Sequence, residues 1–536
     1  MRVADFFCGA GGFSEGFRQA GFDIVFAIDK WLPAFNTYKA NKPNTQVFLD
    51  DVIRVSKLPE DEFEKIVPDT EIIIGSPPCV AFSSSNRSGN GDKALGLQLL
   101  KAYLRIVARK KYKKGSLLRY WVLENVPNIE KYIEAEYTAK DLEIEGNFRL
   151  RALGETSRVY NAKYFGVPSS RKRFLCGEFP EPHVTNDDAT VIPMRHVFDS
   201  LGEPTAGDRT IITDCNYHSL SLNIGEVTDH QYKYMVSDFE WQKAKRLKQD
   251  KGYMGKMSFP ENIDKPSRTV MATMSASSRE SMILGCGDGT YRLPTVREIA
   301  SMMSFPIDYR FYGISKGIKY SLVGNAVPPK LSYAIAKAIS EQERHELPGR
   351  YIPIQHNESI HFYNLNNIEI QAKIEKQKRK DAKFKYHIPY LIYNAYRVEL
   401  TNYNSDFKNN KFLWTAEIHF SQGKKKACVH TPTVKIIDIH NQFRDEITTF
   451  IKGISGKLCN EYIFQMRYCA TDAQRTNLIG PYELLERIRQ FLDEILTSEQ
   501  QKEMRELKEN PYKVPCAIQI GYYILNECTK IIRGYN

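Results

Sequence analysis

The sequence predicts an α/β protein with a doubly wound, mostly parallel sheet, a small irregular second domain and an additional C-terminal α+β domain. Short apolar segments alternate with helical segments over residues 1–180, the pattern of a parallel sheet covered by helices on both faces. This alternation fades over residues 180–290, and helix signals return over residues 293–340. The length of 536 residues is about three to four times the ~150-residue prior for one domain and therefore suits two or three domains.

The individual elements follow from apolar periodicity in chain order. Strands are expected at residues 2–7, 23–28, 71–75 and 120–124, and helices at residues 13–20, 31–40 and 95–108. A helix at 295–303 begins with Thr295 three residues before Glu298, which is the spacing of a capping box. A last helix is expected at 331–339. These elements predict a sheet domain made of residues 1–180 and 291–345, with the irregular domain at 181–290 between its two parts.

The third predicted domain comprises residues 346–536 and opens with Glu-Leu-Pro-Gly. Its residues 351–536 hold 27 Lys and Arg against 21 Asp and Glu, a net charge of +6. It contains a basic run at 373–385, strand-like segments at 390–400 and 412–420, and an amphipathic helix at 481–497.

Composition excludes several classes of protein. With 42% hydrophobic and 26% charged residues, the chain has the composition of a globular protein. It has no apolar run near the ~18 residues of a membrane span and opens without an export signal, so a cytoplasmic protein is expected. Its ten cysteines include no CxxC pair, so neither a disulfide scaffold nor a metal is expected. The net charge of +11 favours a polyanionic partner such as nucleic acid.

The first chemical motif is the glycine-rich segment DFFCGAGGFSEGF near the N-terminus. Gly9, Gly11 and Gly12 would let the backbone approach a ligand at the start of a helix, although their spacing is not that of a dinucleotide site. Asp29 and Asp51 follow as acids at later strand ends, and Asp29 has the spacing of a ribose-hydroxyl acceptor. A tight structural turn and solvated surface carboxylates remain the alternative interpretations.

Two further motifs place a cysteine and an acid at neighbouring strand ends. GSPPCVAFSSS presents Cys79 after two prolines, and VLENV ends a strand at Glu124. Doubly wound sheets bind ligands at the carboxyl ends of their strands, so these two residues could serve as nucleophile and proton donor. A small core cysteine and a solvated glutamate are the alternatives.

The order of all these motifs resembles the cytosine-5 DNA methyltransferase family over about residues 1–340. The series is DFFCGAGG, AIDK, DDV, GSPPC, ENV, NAKYFGVPSSRKRF, PTVREIASMMSFP and GNAVPP. The resemblance implies a Rossmann-like, S-adenosylmethionine-dependent methyltransferase fold in which residues 181–290 form the target-recognition domain. It also implies a DNA (cytosine-5)-methyltransferase of a prokaryotic restriction-modification or phage-defence system.

The resemblance further implies which residues bind S-adenosylmethionine, the expected cofactor. Asp29 would take the ribose hydroxyls, Asp51 the adenine amino group, and the 325–326 segment the methionine end. The positions that match the family's cofactor residues are Phe7, Gly9, Gly11, Gly12, Asp29, Asp51, Pro78, Asn325 and Ala326.

The same resemblance implies the catalytic residues. Cys79 would add to C6 of the cytosine, and Glu124 would hold or protonate N3. Arg173 would contact the base at O2, with Arg171 nearby on a phosphate or on the catalytic loop. Because the target carbon is buried in a duplex, the cytosine must be flipped out into this site.

Three positions depart from the family pattern. Val80 follows the cysteine where the family usually has Gln, Ser169 begins SSRKR in place of Gln-x-Arg-x-Arg, and Lys30 stands where many members carry an aromatic residue. The nucleophile, the acid and the cofactor acid all remain, so activity is expected.

Contacts with DNA are expected from the loop after Cys79 and from the target-recognition domain. The candidates are Ser83, Ser85, Arg268, Thr269 and Arg279, with structural or phosphate contacts as the alternative for the last three.

The expected partners are duplex DNA, bound as a monomer, and a cognate restriction endonuclease or defence-system protein. Residues 346–536 are interpreted as an accessory DNA-binding or partner-docking domain, since Asp381, Lys383 and Glu369 match a nuclease pattern only loosely. Two alternative functions remain: a tRNA cytosine-5 methyltransferase and a catalytically inactive DNA-binding regulator.

Overall fold

A computed structural model describes residues 1–78, 93–205, 209–249, 257–420, 428–439, 441–474, 478–507 and 510–534. The chain divides into two compact units: the first comprises residues 1–236 and 260–372, and the second comprises residues 237–259 and 373–536. The sequence-based boundaries at 180, 290 and 345 do not coincide with this division. Within the described ranges, no helix is both long and apolar enough to cross a membrane.

The first unit is built on a seven-stranded sheet, which confirms the predicted doubly wound fold. Its strands are β1 (Arg2–Phe6), β2 (Asp23–Asp29), β3 (Gln46–Leu49), β4 (Ile72–Gly75), β5 (Tyr120–Asn125), β6 (Arg158–Asn161) and β7 (Lys172–Glu178). Their spatial order is β3-β2-β1-β4-β5-β7-β6. Strands β1 to β5 are parallel, and β7 runs antiparallel to β5 and β6. The order reverses between β1 and β4, where doubly wound sheets bind ligands.

Helices cover both faces of this sheet, and one helix from this part of the chain belongs to the second unit. The helices are α1 (Gly12–Gln19), α2 (Leu32–Asn41), α3 (Val52–Ser56), α4 (Glu60–Ile66), α5 (Lys93–Tyr112), α6 (Met194–Leu201), α7 (Asp238–Gln249), α8 (Val296–Met302), α9 (Lys316–Asn325) and α10 (Pro329–Glu343). All except α7 lie in the first unit. Phe6 and Trp121 belong to the core on one face of the sheet, and Phe17 and Val122 to the core on the other. Such two-sided burial explains the continuous apolar runs of the parallel strands.

Short strands complete the first unit, most of them in the region predicted to be irregular. They are Glu136–Thr138, Arg149–Arg151, Ser169–Ser170, Ile211–Thr213, Ser221–Asn223, Tyr234–Val236, Ser267–Arg268, Leu284–Gly285 and Tyr291–Leu293. The predicted capping box is present at α8, since Thr295 Oγ1 accepts from Glu298 N at 3.1 Å and Glu298 Oε2 accepts from Thr295 N at 2.7 Å.

The segment 346–372 also belongs to the first unit, although it lies beyond the region of family resemblance. Ile352 N donates to the Gln19 side chain at 2.9 Å, which holds the segment against α1. Further along, Leu365 N donates to Asp229 Oδ1 at 3.0 Å, and the buried Lys319 Nζ pairs with the same oxygen at 2.6 Å. We call residues 346–372 the strap.

The second unit has its own sheet, helices and apolar core, which confirms the predicted C-terminal α+β domain. Its strands are β8 (Lys385–Tyr393), β9 (Tyr396–Thr401), β10 (Thr415–Phe420), β11 (Cys428–His430), β12 (Met504–Leu507) and β13 (Asn510–Pro515). Its helices after α7 are α11 (Arg444–Ser455), α12 (Glu461–Cys469), α13 (Pro481–Ile495), α14 (Ser498–Lys502) and α15 (Cys516–Ile532). Strands β8 to β11 form one antiparallel sheet, and the core includes Trp414 and Ile520.

The predicted single strand at 390–400 is wrong, because the chain reverses there. β8 and β9 are joined by a tight turn at Asn394 and Ala395, whose φ angles are 47° and 67°. Both central residues of this turn have positive φ, as in the two-residue hairpins that match the twist of antiparallel strands. The expected helix at 481–497 is confirmed as α13.

Helix α7 comes from the middle of the region assigned to target recognition, yet it packs within the second unit. The Trp241 ring stacks on Phe259 at 6.2 Å between centroids, and the Arg246 guanidinium lies 4.3 Å from the centre of the Tyr482 ring. Tyr390 OH donates to Gln249 Oε1 at 3.0 Å. The second unit is therefore assembled from two separate stretches of sequence.

Candidate active site

The carboxyl ends of the parallel strands in the first unit surround a cavity of ≈ 240 Å³. Phe6 of β1 pairs in register with Ile28 of β2 and with Gly75 of β4, and Gly75 pairs with Leu123 of β5, so the four strands end at one level. Predicted site residues that line the cavity are Phe7, Gly9, Asp29, Pro78, Glu124, Arg171, Arg173, Asn325 and Ala326. The sheet thus gathers residues that are about 320 positions apart in the chain.

The glycine-rich turn forms one wall of the cavity. Phe7 adopts a φ of 56°, which turns the chain sharply at the end of β1. Any larger residue at position 12 would displace the neighbouring backbone, since a Cβ there would lie 2.2 Å from the Val327 carbonyl oxygen. Gly11 and Gly12 are absent from the cavity lining. Gly12 lets α1 pack against the segment that follows α9, whereas a Cβ at Gly11, whose φ is 82°, would lie 2.7 Å from the Tyr309 hydroxyl.

Asp29 fixes this turn through both carboxylate oxygens. Its Oδ2 accepts from Gly9 N at 2.9 Å, and its Oδ1 accepts from Trp31 N at 2.8 Å. Burial raises the pKa of Asp29 despite these two hydrogen bonds. Each carboxylate oxygen retains a second lone pair, so the group can still accept a hydroxyl from a ligand.

Asp51 is placed differently from Asp29. Its Oδ1 caps α3 by accepting from Ile53 N at 2.8 Å, and its Oδ2 lies 3.4 Å from Lys30 Nζ. The cavity is lined instead by the neighbouring Asp50 and Val52. The assignment of Asp51 to the adenine amino group remains a prediction.

Glu124 is held on both sides at the end of β5. Its Oε2 accepts from Ser76 Oγ at 2.6 Å, and its Oε1 lies 2.8 Å from Arg173 Nε. Arg173 reaches it because β7 runs antiparallel to β5, with Leu175 opposite Glu124, so that the start of β7 lies beside the end of β5. The Glu124 and Arg173 side chains are 4% and 9% exposed, which orients the carboxylate firmly.

The turn that leads to Cys79 is fixed by the residue after Glu124. Asn125 Nδ2 donates to the carbonyl oxygen of Pro77 at 2.9 Å. Pro78 lines the cavity directly after this anchored position. Cys79, Val80, Ser83 and Ser85 lie outside the described residues.

Arg171 has a different environment from the one expected on a phosphate or on the catalytic loop. Its side chain is buried, and its guanidinium donates to three backbone carbonyls: Val270 O at 3.1 Å, Gly324 O at 2.9 Å and Ala326 O at 3.0 Å. It therefore anchors the segment that carries Asn325 and Ala326, which is a positioning role.

The candidates for DNA contact in the target-recognition region make structural contacts within the first unit. Arg268 pairs with Glu261, and Thr269 Oγ1 donates to Ser170 O at 3.3 Å. The buried Ser169, which replaces the expected Gln, donates to Arg268 O at 3.2 Å. Arg279 is half-buried. Their contacts with DNA remain predictions.

Several residues that line the site were missed in the sequence. Trp31 lines the cavity one position after Lys30, where the aromatic residue was sought, and it is 36% exposed. Asp5 also lines the cavity; burial raises its pKa to about 7 despite a hydrogen bond from Ser14 Oγ at 2.6 Å. The adjacency of Trp31 to Asp29 was a usable signal, whereas nothing local marks Asp5.

A group of side chains that could hold a metal ion occurs in the second unit. Oxygen and nitrogen atoms of Glu399, Glu417 and His419 lie within 4.8 Å of one another. Arg397 pairs with Glu399, and Lys385 Nζ lies 3.2 Å from Glu399 and 3.6 Å from Glu417. These cations already balance the two carboxylates, so the group is interpreted as an ion-pair network.

The fold and the site define a Rossmann-like methyltransferase: a doubly wound sheet with a glycine-rich turn, an acid at the second strand end, and a paired Glu and Arg beside it. Comparison with known proteins specifies the class. The family model described as C-5 cytosine-specific DNA methylase matches residues 1–341. The chain therefore belongs to the C-5 cytosine-specific DNA methylase family and is a DNA (cytosine-5)-methyltransferase.

Similar proteins span most of their own length in these matches. The type II methyltransferase M1.HphI of Haemophilus parahaemolyticus is 28% identical over 360 residues, covering 65% of this chain and 88% of that protein. The type II methyltransferase M.MthTI of Methanothermobacter thermautotrophicus is 28% identical over 356 residues, covering 64% and 97%. A solved DNA modification methyltransferase encoded within an E. coli prophage is 21% identical with a TM-score of 0.42, covering 64% and 99%.

Proposed function

We propose that this methyltransferase modifies a cytosine flipped out of duplex DNA, with Cys79 as the nucleophile and Glu124 as the group that holds N3. The observation that carries the proposal is the clamped carboxylate of Glu124, between Ser76 Oγ at 2.6 Å and Arg173 Nε at 2.8 Å. β4 is the neighbour of β5, and only Ser76, Pro77 and Pro78 separate its end from Cys79. A nucleophile and a proton donor at adjacent strand ends suit the two sides of a pyrimidine ring.

The chemistry follows from the poor nucleophilicity of C5 in an aromatic cytosine. The Cys79 thiolate forms a bond to C6, and a proton held by Glu124 at N3 takes up the negative charge that develops on the ring. C5 of this adduct then carries the electron pair that accepts a methyl group. Loss of the C5 proton to a base restores the C5–C6 double bond and expels the Cys79 thiolate. The N3 proton returns to Glu124 and the base releases its proton to solvent, so the enzyme returns to its starting state.

The residues around Glu124 and Cys79 orient these groups. Arg173 keeps positive charge beside the carboxylate and is positioned to contact O2 of the base. Asn125 Nδ2 holds the carbonyl of Pro77, which lies two positions before Cys79 in the sequence. Two consecutive prolines restrict that turn further, because each locks its own φ.

The cavity at the switch point suits S-adenosylmethionine. The Asp29 carboxylate would accept hydrogen bonds from the ribose hydroxyls, and the Trp31 ring would stack on the flat adenine base. The Asn325 amide and backbone groups would bind the amino-acid end. When bound, this cofactor supplies an electrophilic methyl group on a sulfonium. The hydrogen bond from the Gly9 amide to Asp29 Oδ2 holds the glycine-rich turn at the wall of this cavity.

Membership in a restriction-modification or phage-defence system is supported by the names of similar proteins, which are type II methyltransferases. The direct test is expression in a host that lacks cytosine methylation, followed by bisulfite sequencing of its DNA. Methylation at one short sequence motif is expected. DNA that stays unmodified, while total tRNA becomes methylated, would contradict the proposal in favour of a tRNA enzyme.

Cys79→Ser tests the covalent step separately. The variant should lose methyl transfer and the covalent complex with 5-fluorocytosine DNA, while calorimetry shows unchanged binding of S-adenosylmethionine. Cys286→Ser, at an exposed thiol of the first unit, is the matched control and should keep full activity. Retained transfer by Cys79→Ser would rule out this nucleophile.

A further inference from the structure

The net charge of the chain resides entirely in the second unit. The first unit holds 42 Lys and Arg against 42 Asp and Glu, a formal charge of zero. The second unit holds 33 Lys and Arg against 22 Asp and Glu, which accounts for the full +11 of the protein. The first unit, which carries the methyltransferase motifs, therefore has no net charge, and the second unit is strongly basic for its size.

Many cations of the first unit are engaged in internal ion pairs. Lys110 Nζ, for example, is buried and lies 3.0 Å from both Glu64 and Asp69. Lys319 pairs with Asp229 at 2.6 Å with neither side chain exposed. These charges support the fold and contribute little positive potential to the surface.

The second unit instead presents exposed lysines that form no close ion pair, although the charge of Lys411 acts on the nearby Asp406. Lys380, Lys383, Lys408 and Lys411 are all exposed. Among the residues that the structure describes, none of the four forms an ion pair with a carboxylate. Tyr403, 52% exposed, lies beside Lys383, with its ring centre 5.6 Å from Lys383 Nζ. We call these five residues the basic edge.

Backbone and side-chain hydrogen bonds hold the basic edge together. Phe384 N donates to Asn402 Oδ1 at 2.6 Å, and Asn402 N donates to Phe384 O at 3.1 Å, so the chain at 380–384 lies alongside the start of the loop after β9. Asp406 and Lys411 exchange backbone hydrogen bonds of 2.9 and 3.0 Å, which close that loop. A fixed backbone thus carries mobile ammonium groups.

We propose that the second unit binds the phosphates of duplex DNA through the basic edge and supplies the salt-dependent part of the enzyme's DNA affinity. The inference rests on duplex DNA being the substrate, as proposed above. Lysines that are free of close ion pairs displace counterions condensed on the DNA when they bind its phosphates, which is the main source of sequence-independent DNA affinity. Because the first unit has no net charge, it cannot supply this salt-dependent part of the DNA affinity through its net charge.

Charge substitution is a better test than truncation, because the second unit includes α7 from the middle of the chain. The test variant is the full-length protein with Lys380→Gln, Lys383→Gln, Lys408→Gln and Lys411→Gln. The control variant carries Lys452→Gln, Lys457→Gln, Lys513→Gln and Lys530→Gln, four other exposed lysines of the same unit. Both variants lose four positive charges. In the control, Lys513 pairs with Glu506 and Lys530 with Glu527, so a difference reports the position of the lysines together with their freedom from close ion pairs.

Binding of a 30-base-pair fluorescent duplex is measured by anisotropy over a series of NaCl concentrations. Four lost phosphate contacts should reduce the slope of log K against log salt by about 3 to 4 in the test variant, since each contributes ~0.9. The DNA affinity of the test variant near 0.1 M salt should fall about 10- to 10³-fold. In the control variant, the slope of log K against log salt should change by less than about 1.

Equal slopes in the two variants would overturn the inference, and so would a loss of tRNA binding with duplex binding intact. Calorimetric binding of S-adenosylmethionine should be the same in both variants and the parent, which shows that the first unit is folded. If the parent protein itself fails to methylate duplex DNA, the proposed function fails. If the parent methylates DNA but the test variant keeps its salt slope, only the role of the basic edge fails.

Discussion

Replacing Arg171 by methionine tests the anchoring of residues 324–326. The guanidinium donates three hydrogen bonds of 2.9 to 3.1 Å to backbone carbonyls. A hydrogen bond that involves a charged group contributes roughly 1.5–3 kcal/mol, and desolvation of the buried cation offsets part of the sum. The variant leaves three carbonyls without this donor, so we expect the segment to lose about 3–5 kcal/mol of local stability.

Hydrogen exchange measured by mass spectrometry is the direct assay. Since each 1.4 kcal/mol is about a factor of ten, amides at 320–327 should exchange about 10²- to 10³-fold faster in Arg171→Met. Asn325 and Ala326 line the cavity, so the Kd for S-adenosylmethionine should rise at least about tenfold. Arg171→Lys should recover part of both effects, because an ammonium can reach some of the same carbonyls.

Arg195→Met is the matched control, because Arg195 is exposed and forms an ion pair with the exposed Asp264. A surface ion pair contributes about 0–1 kcal/mol, so exchange at 320–327 should not change. The reasoning is refuted if Arg171→Met keeps normal exchange and normal cofactor affinity but loses methyl transfer. Arg171 would then act on the DNA, as the family resemblance implied.

Three further predictions concern the first unit. Trp31→Ala should raise the Kd for S-adenosylmethionine, measured by calorimetry, about 10- to 100-fold. Trp31→Phe should raise the Kd much less, because its flat ring can still stack on adenine. Equal Kd values for the two variants would exclude stacking. Burial raises the pKa of Asp5 to about 7, above about 3.9 for an exposed Asp. The free energy of unfolding of the parent protein, relative to that of Asp5→Asn, is therefore highest below pH ~4. This relative stability should fall by up to about 4 kcal/mol as the pH rises to 7. Urea unfolding at pH 5 and pH 8 measures this, and a difference that is constant with pH would contradict it. In the full-length protein, Gln19→Ala removes two hydrogen bonds between α1 and Ile352 of the strap and should lower the melting temperature; an unchanged melting curve would mean that these contacts contribute no stability.

The parallel sheet could be predicted because its signals are local. Each central strand is an apolar run such as IIIG in β4, and each ends at a residue of distinct chemistry, such as Asp29 or Glu124. The strand ends meet because parallel strands share one carboxyl edge. The strand pattern therefore located Asp29 and Glu124 at one site, and the family resemblance added Arg173.

Contacts over long sequence separations could not be predicted. Arg171 resembles a surface arginine in sequence, and only the fold shows that its carbonyl partners lie about 100 to 155 residues later. The turn at Asn394 and Ala395 lacks the glycine that usually marks positive φ, so the two strands β8 and β9 were interpreted as one. α15 is buried on nearly all sides, which removes the periodic polar face by which a helix is recognised.

The origin of α7 imposes an order on synthesis at the ribosome. Its neighbour Tyr482 is encoded some 230 residues after Arg246, so at about 5–20 residues per second the helix waits roughly 10–50 seconds for that contact. During this interval Trp241 can stack on Phe259, but the partners of α7 in the C-terminal stretch do not yet exist. The packing of this helix is thus completed late in synthesis, and slow translation after residue 260 would lengthen the delay.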